Sequence, residues 1–269
     1  MSPELELAGE QMHVRAQKAK TRRWGKHSST NEEQVFLEGP RSRRYELRRA
    51  LRIFRELIQG FRALHFVGPC ITVFGSARFL EGNRYYGMTR ELGQQIAHAG
   101  FTVMTGGGPG LMEAANRGAK DVNGVSIGCN ITLPHEQMPN HYLDKWVEFR
   151  YFFVRKLMLA KYSYGFIAMP GGFGTLDELF EIATLVQTGK IEKFPIVMMG
   201  SDYWMPLLQF LRGTLVNNGA IDAADFNEIL VTDSPADAVA RIQACAFGQF
   251  GVHYKTRRAP RKLLWESSL

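Results

Sequence analysis

Residues 165–182, Gly-Phe-Ile-Ala-Met-Pro-Gly-Gly-Phe-Gly-Thr-Leu-Asp-Glu-Leu-Phe-Glu-Ile, decide how this chain reads. A short apolar run, Phe166-Ile167-Ala168-Met169, breaks at Pro170 and passes three glycines. It then becomes a helical pattern carrying Leu176, Leu179, Phe180 and Ile182. This is the grammar of a parallel strand, a tight turn and a helix N-terminus. Unsatisfied N–H groups and the positive end of the helix dipole leave such a turn together, so anions bind there. Glycines at 171, 172 and 174 let the backbone approach an anion closely. The stretch is expected to cradle a phosphate.

Working outward, the same grammar repeats. Buried strands are expected at 70–74, 101–104, 125–129, 146–149, 166–169 and 195–199, with a short edge strand at 228–231. Helical patterns fall at 84–99, 111–122, 152–163, 203–217 and 235–246. Strands alternating with helices imply a parallel sheet covered on both faces, with ligands at the carboxyl ends of the strands. The fold class is therefore α/β, a Rossmann-like doubly wound sheet. It is preceded by an amphipathic helix over 45–66 and a basic flexible tail. The expected division is a tail over 1–44, one α/β domain over 45–249 and a basic tail over 250–269.

Charge follows that division. Residues 1–44 hold nine Lys/Arg against six acids and residues 250–269 hold five against one, while 45–249 are balanced. The basic pI near 9.4 thus belongs to the tails, and the body gives no sign of nucleic-acid binding. The tails read as solvated chain, with an RNA, membrane or partner contact as the alternative. No stretch reaches the ~18 apolar residues of a membrane span. The N-terminus lacks the pattern of a secretory signal. The scattered Cys70, Cys129 and Cys245 form neither a disulfide framework nor a metal knuckle. A cytoplasmic location is expected.

A second glycine turn, Thr105-Gly106-Gly107-Gly108-Pro109-Gly110, follows the second strand. Its third fingerprint position is Leu111, so it departs from the dinucleotide pattern. Neither turn carries the Gly-Lys-Ser/Thr of a nucleoside-triphosphate loop. A single phosphate or a nucleoside monophosphate is the ligand left, with Gly106, Gly107 and Gly108 joining Gly171, Gly172 and Gly174; plain tight turns are the alternative. Ser76 lacks a nucleophile elbow and suits phosphate binding through its hydroxyl. Thr175 and Glu178 fit a capping box; otherwise Glu178 lines the crevice as a catalytic carboxylate. Arg155 and Lys156 start a helix, where cations oppose the dipole, so a nearby anion explains them better than helix stability does. His135 and His141 lack companions at metal spacing, and no metal site is expected.

Three of these stretches together resemble one family. Pro170-Gly171-Gly172-Phe173-Gly174-Thr175-Leu176-Asp177-Glu178 matches the PGGxGTxxE signature of the Lonely-guy (LOG) proteins. Gly106-Gly107-Gly108-Pro109-Gly110-Leu111-Met112 matches their GGGxxGLM turn, and Arg155-Lys156 their RK pair. The resemblance covers about 68–235. It implies a cytokinin riboside 5′-monophosphate phosphoribohydrolase, a family in which many members also cleave AMP and which was long mislabelled lysine decarboxylase. Nothing in the sequence supports that label, which needs a Schiff-base lysine and its surrounding site. The resemblance implies Arg155 and Glu178 as catalytic pair, the glycine turns with Thr175 as phosphate holders, and a homodimer or higher oligomer. It implies no cofactor. Phe152 stands where short plant-like members have Met, and Glu113 where they have Gly. These departures and the ~65-residue N-terminal extension place the chain nearer the longer bacterial branch. A non-catalytic carrier of a nucleotide or phosphorylated cofactor is the competing reading; it would need the glycine turns but not the carboxylate.

Overall fold

A computed structural model of the chain describes residues 36–37, 39–132, 138–191 and 194–248. The readings made for most of the N-terminal tail, for the C-terminal tail and for His135 lie outside the described residues. The chain divides into two compact units, residues 1–55 and 56–269. Helix α1 (Arg43–Leu64) begins in the first. There Arg49 donates to the Tyr45 hydroxyl from Nε and Nη2, at 3.1 and 2.7 Å.

The second unit carries the sheet. Its elements run β1 (Cys70–Phe74), α2 (Arg84–His98), β2 (Thr102–Thr105), α3 (Leu111–Asp121), β3 (Ser126–Ile131), β4 (Lys145–Phe149) and α4 (Phe152–Tyr162). They continue through β5 (Ser163–Ala168), α5 (Phe173–Gln187), β6 (Ile196–Met199), α6 (Ser201–Phe210), α7 (Ala223–Asn227), β7 (Ile229–Thr232) and α8 (Pro235–Gly248). The seven strands lie in the order β4-β3-β2-β1-β5-β6-β7, and every neighbouring pair is parallel. The expected doubly wound α/β sheet is what the chain forms.

Why these residues make it follows from their composition. The central strands are runs of apolar and β-branched residues buried on both faces, as in Cys70–Phe74, which only a sheet covered twice can accommodate. Ile71, Val73, Ile167 and Val197 of the sheet join Leu92, Ile96, Leu111 and Ile242 of the helices in one core. Helix α2 packs on α3 and α8, whereas α4 lies against β3 and β4. Thr72 and Ser163, buried polar residues of adjacent strands, answer each other, with Thr72 Oγ1 and Ser163 Oγ 2.6 Å apart.

Several elements differ from the sequence reading, among them α7, where that reading has no helix. Strand β5 starts at Ser163, directly after α4, because Ser163 pairs with Cys70 ahead of a register shift in the β1–β5 ladder. The helix expected over 203–217 is α6 followed by a π-helical segment, Leu211–Val216. Among the described residues no helix is long and apolar enough to cross a membrane.

The topology positions the site. From β1 the chain moves outward through β2, β3 and β4, then returns to the other side of β1 as β5. The segments leaving β1 and β5 therefore diverge, and the crevice of a doubly wound sheet opens between their carboxyl ends.

Candidate active site

Two turns meet at that crevice and are stitched together. Ser76 N, after β1, donates to Pro170 O, after β5, at 3.0 Å, and Met169 N donates to Phe74 O at 2.8 Å. Gly171 sits where a Cβ would stand 2.1 Å from Thr175 Oγ1 and 3.2 Å from Ser76 N, so no larger residue fits this seam. Helix α5 begins at Phe173, with Gly172 as N-cap and no side chain capping it. Its first turn carries no acid. Leu176 N reaches Gly172 O at 3.0 Å, while the amides of Phe173, Gly174 and Thr175 have no backbone acceptor among the described residues. An uncapped helix N-terminus thus opens into a cavity of about 730 Å³.

The capping-box reading of Thr175 and Glu178 fails here. Thr175 is inside the helix and buried, and Glu178 is turned to another partner. Arg155, from α4, donates from Nη1 to Glu178 Oε1 at 2.7 Å and from Nε to the Cys129 carbonyl at 2.8 Å. The two side chains are 12% and 7% exposed. Burial pushes the Glu178 carboxyl above its ordinary value, although Arg155 and Lys156 pull the other way. Burial outweighs the pair because both charges have left water. It likewise pushes the Cys129 thiol up to about 12, against the pull of Arg155, so this sulfur is a neutral neighbour.

Lys156 makes the matching contact one residue along. Its Nζ lies 2.8 Å from Asp177 Oδ2 and 2.8 Å from Glu181 Oε2; the second is a charge contact without hydrogen-bond geometry. The cations that oppose the α4 dipole are therefore balanced by three carboxylates of α5.

Against known proteins, residues 112–242 match the family model described as "Possible lysine decarboxylase". The cytokinin riboside 5′-monophosphate phosphoribohydrolase LOG of Oryza sativa subsp. japonica is 33% identical over 64% of this chain and 71% of its own. The phosphoribohydrolase of the same name from Mycobacterium tuberculosis is 32% identical over 59% of this chain and 84% of its own. The chain belongs to the LOG family. The molybdenum cofactor binding protein of Rippkaea orientalis shares the fold, at 24% identity and a TM-score of 0.51, over 66% of this chain and 96% of that one.

Of the residues singled out in this LOG-family sequence, Ser76, Gly106, Arg155, Gly171, Gly172, Gly174, Thr175 and Glu178 line one cavity. Gly107, Gly108 and Lys156 do not. Gly107 N donates to Thr105 Oγ1 at 2.8 Å. Asn140 Nδ2 donates to the carbonyls of Gly107 and Gly108, each at 3.1 Å, and to Asn116 Oδ1 at 3.0 Å. Asn116 in turn accepts from Thr105 Oγ1 and donates to Ser126 Oγ. The second glycine turn is thereby clamped from behind by a buried amide network. Gly106 alone faces the cavity, where its missing Cβ would come 2.9 Å from Arg155 Nη2 and 2.8 Å from Met112 Sδ.

Sequence reasoning missed Asn130, Met112 and Tyr203, which also line the cavity; the Tyr203 hydroxyl donates to Gly171 O at 2.9 Å. A signal existed for Asn130, an amide directly after the run Ile127-Gly128-Cys129. Among the described residues no group of three or more His, Cys, Asp and Glu is placed to hold a metal ion.

Proposed function

We propose that the chain hydrolyses the N-glycosidic bond of a nucleoside 5′-monophosphate, AMP or a cytokinin riboside monophosphate, to free base and ribose 5-phosphate. The observation that carries this reading is the buried Arg155–Glu178 pair at 2.7 Å, which lines the same cavity as an uncapped helix N-terminus. The names of the relatives in Oryza and Mycobacterium support it.

The phosphate binds at the first turn of α5, where the free amides of Phe173, Gly174 and Thr175, the Thr175 hydroxyl and Ser76 converge on an anion. Binding energy from this remote group positions the sugar. As the C1′–N bond breaks, its electron pair leaves with the base and C1′ acquires oxocarbenium character. The Glu178 carboxylate stabilises that charge and takes a proton from the attacking water, whose oxygen bonds to C1′. The departing base takes up one proton from water and Glu178 releases the one it took, so one water is consumed and the products are neutral base and ribose 5-phosphate. Arg155 holds Glu178 and, through Cys129 O, fixes both to β3. Burial pushes the Glu178 carboxyl above its ordinary value, which makes its ionised form a stronger base.

The family likeness also supports a homodimer. Phe153 and Leu157 on α4 and Phe180 on α5 are 46%, 47% and 39% exposed, and a second copy would cover them; sedimentation of the full chain checks the state.

Chromatographic assay of free base and ribose 5-phosphate across a panel of monophosphates tests the function. AMP is expected to be cleaved and to bind far more tightly than adenosine by calorimetry. Equal affinity for the two would remove the phosphate site. Tight binding without product would leave the carrier function in its place.

A further inference from the structure

Asn130 is 6% exposed and lines the cavity. Its backbone lies in the β3–β4 ladder opposite Glu148, but among the described residues no hydrogen bond reaches its side chain. The amide is nevertheless not sealed in apolar surroundings. The one fully enclosed side-chain oxygen or nitrogen without a hydrogen bond among the described residues is Glu181 Oε2, so both amide atoms of Asn130 touch open space. A nine-tenths buried amide that keeps its donor and acceptor free inside a cavity is built for a ligand, because burying it unmatched is costly.

Position says which part of the ligand. The phosphate turn lies at the ends of β1 and β5, while Asn130 lies at the end of β3, two strands beyond β1. The phosphate holders follow β1 and β5, two and three strands from β3, which amounts to roughly 10–14 Å, the range of the span from a 5′-phosphate to the far edge of its base. Asn130 also follows Cys129, the anchor of Arg155, which puts it on the catalytic side of the cavity. Met112, Ile131 and Phe152 offer apolar surface beside it.

Resting on the nucleoside monophosphate reading above, we infer that Asn130 is the residue that reads the base. Its amide donates one hydrogen bond and accepts another, so it selects a base edge on which a donor stands beside an acceptor. Adenine and N6-substituted adenines offer such an edge through N6–H and a ring nitrogen; hypoxanthine offers the reverse pair through O6 and N1–H. Purine riboside 5′-monophosphate, which lacks a 6-substituent, and ribose 5-phosphate, which lacks the base, do not.

Calorimetry on the full chain with these four ligands tests the assignment, using the Glu178→Gln variant where a ligand turns over. The unsubstituted protein is expected to bind AMP, IMP or both at least about tenfold more tightly than purine riboside 5′-monophosphate, the effect of one matched hydrogen bond. Asn130→Leu should shrink that ratio to within about twofold while leaving ribose 5-phosphate affinity unchanged. Asn130→Ser, smaller and still polar, provides the same comparison should the leucine variant fail to fold. Whichever of AMP and IMP loses affinity identifies the edge. An equal loss on all four ligands makes Asn130 a sugar contact, and no selectivity in the unsubstituted protein overturns base reading outright. Selectivity without turnover leaves Asn130 standing while the hydrolase fails; turnover without selectivity does the opposite.

Discussion

At Glu178 the local and the tertiary environments make opposite demands. A capping glutamate would bond back to the start of its own helix, and glutamine would serve nearly as well. The carboxylate instead accepts from Arg155, 23 residues away in the chain. Glu178→Gln preserves that acceptor and removes only charge and basicity. It is expected to leave the melting temperature and AMP binding nearly unchanged and to lower kcat by about a hundredfold or more. Asp177→Asn, at a 54% exposed carboxylate, should cost much less. Turnover of Glu178→Gln near the parental rate would make the carboxylate dispensable. Gly106 supplies a second residue-scale test. An added methyl would meet the Arg155 guanidinium at 2.9 Å, and that group is held on its other side by Cys129 O and Glu178. Met112 can move aside, but the guanidinium cannot without leaving its partners. Gly106→Ala should therefore lower kcat by about tenfold to a hundredfold with little change in KM. A rise in KM alone would mean that Gly106 serves the phosphate instead.

Between elements, α4 and α5 are joined by two adjacent contacts, Arg155 to Glu178 and Lys156 to Asp177 and Glu181. The second contact has an electrostatic consequence for the first. Glu178 faces Arg155 and Lys156 from α4 and Asp177 and Glu181 from its own helix. The cations favour its charged form; burial and the neighbouring acids oppose it. Since the net effect is upward, Glu178 takes up its proton at a higher pH than an ordinary glutamate near 4.3. The acid limb of kcat/KM should accordingly lie above that value. Lys156→Met removes a cation and leaves two acids uncompensated, so the carboxyl rises further and the limb moves to still higher pH. Lys156→Arg, which keeps the charge, should restore it. A pH profile of Lys156→Met that overlays the parental one would reduce Lys156 to a surface ion pair.

For the chain as a whole, the charge excess and the site fall on different stretches of sequence. The cavity residues run from Phe74 to Tyr203, whereas the basic excess is confined to residues 1–44 and 250–269. A chain shortened to residues 45–249 is expected to fold and to retain turnover of AMP, measured as ribose 5-phosphate released. If it stays folded by circular dichroism but loses turnover, a removed segment contributes to the site or to assembly of the oligomer. The charge balance of 45–249 also predicts a weak salt dependence for that turnover beyond the effect of screening at the phosphate itself.

What the sequence determined by itself was local and periodic. Apolar runs that end at a turn residue and give way to a helical period announced the strands and most of the helices. Their alternation required a parallel doubly wound sheet, since the central strands are buried on both faces. The same short stretches placed Ser76, the Gly171 turn, Arg155 and Glu178 at strand ends or helix starts, where such a sheet binds its ligands. What it could not determine depends on which residues meet across strands. Nothing local shows that Glu178 faces Arg155 rather than its own helix start, or that Lys156 is occupied by Asp177 and Glu181. The amide network through Asn116 and Asn140 joins positions 24 residues apart, and it turns Gly107 and Gly108 away from the cavity. Gly106 and Asn130 owe their surroundings to α4 and to the order of the strands. Hydrogen bonds and close contacts of this kind are fixed only when the sheet brings distant segments together, so only the tertiary structure decided them.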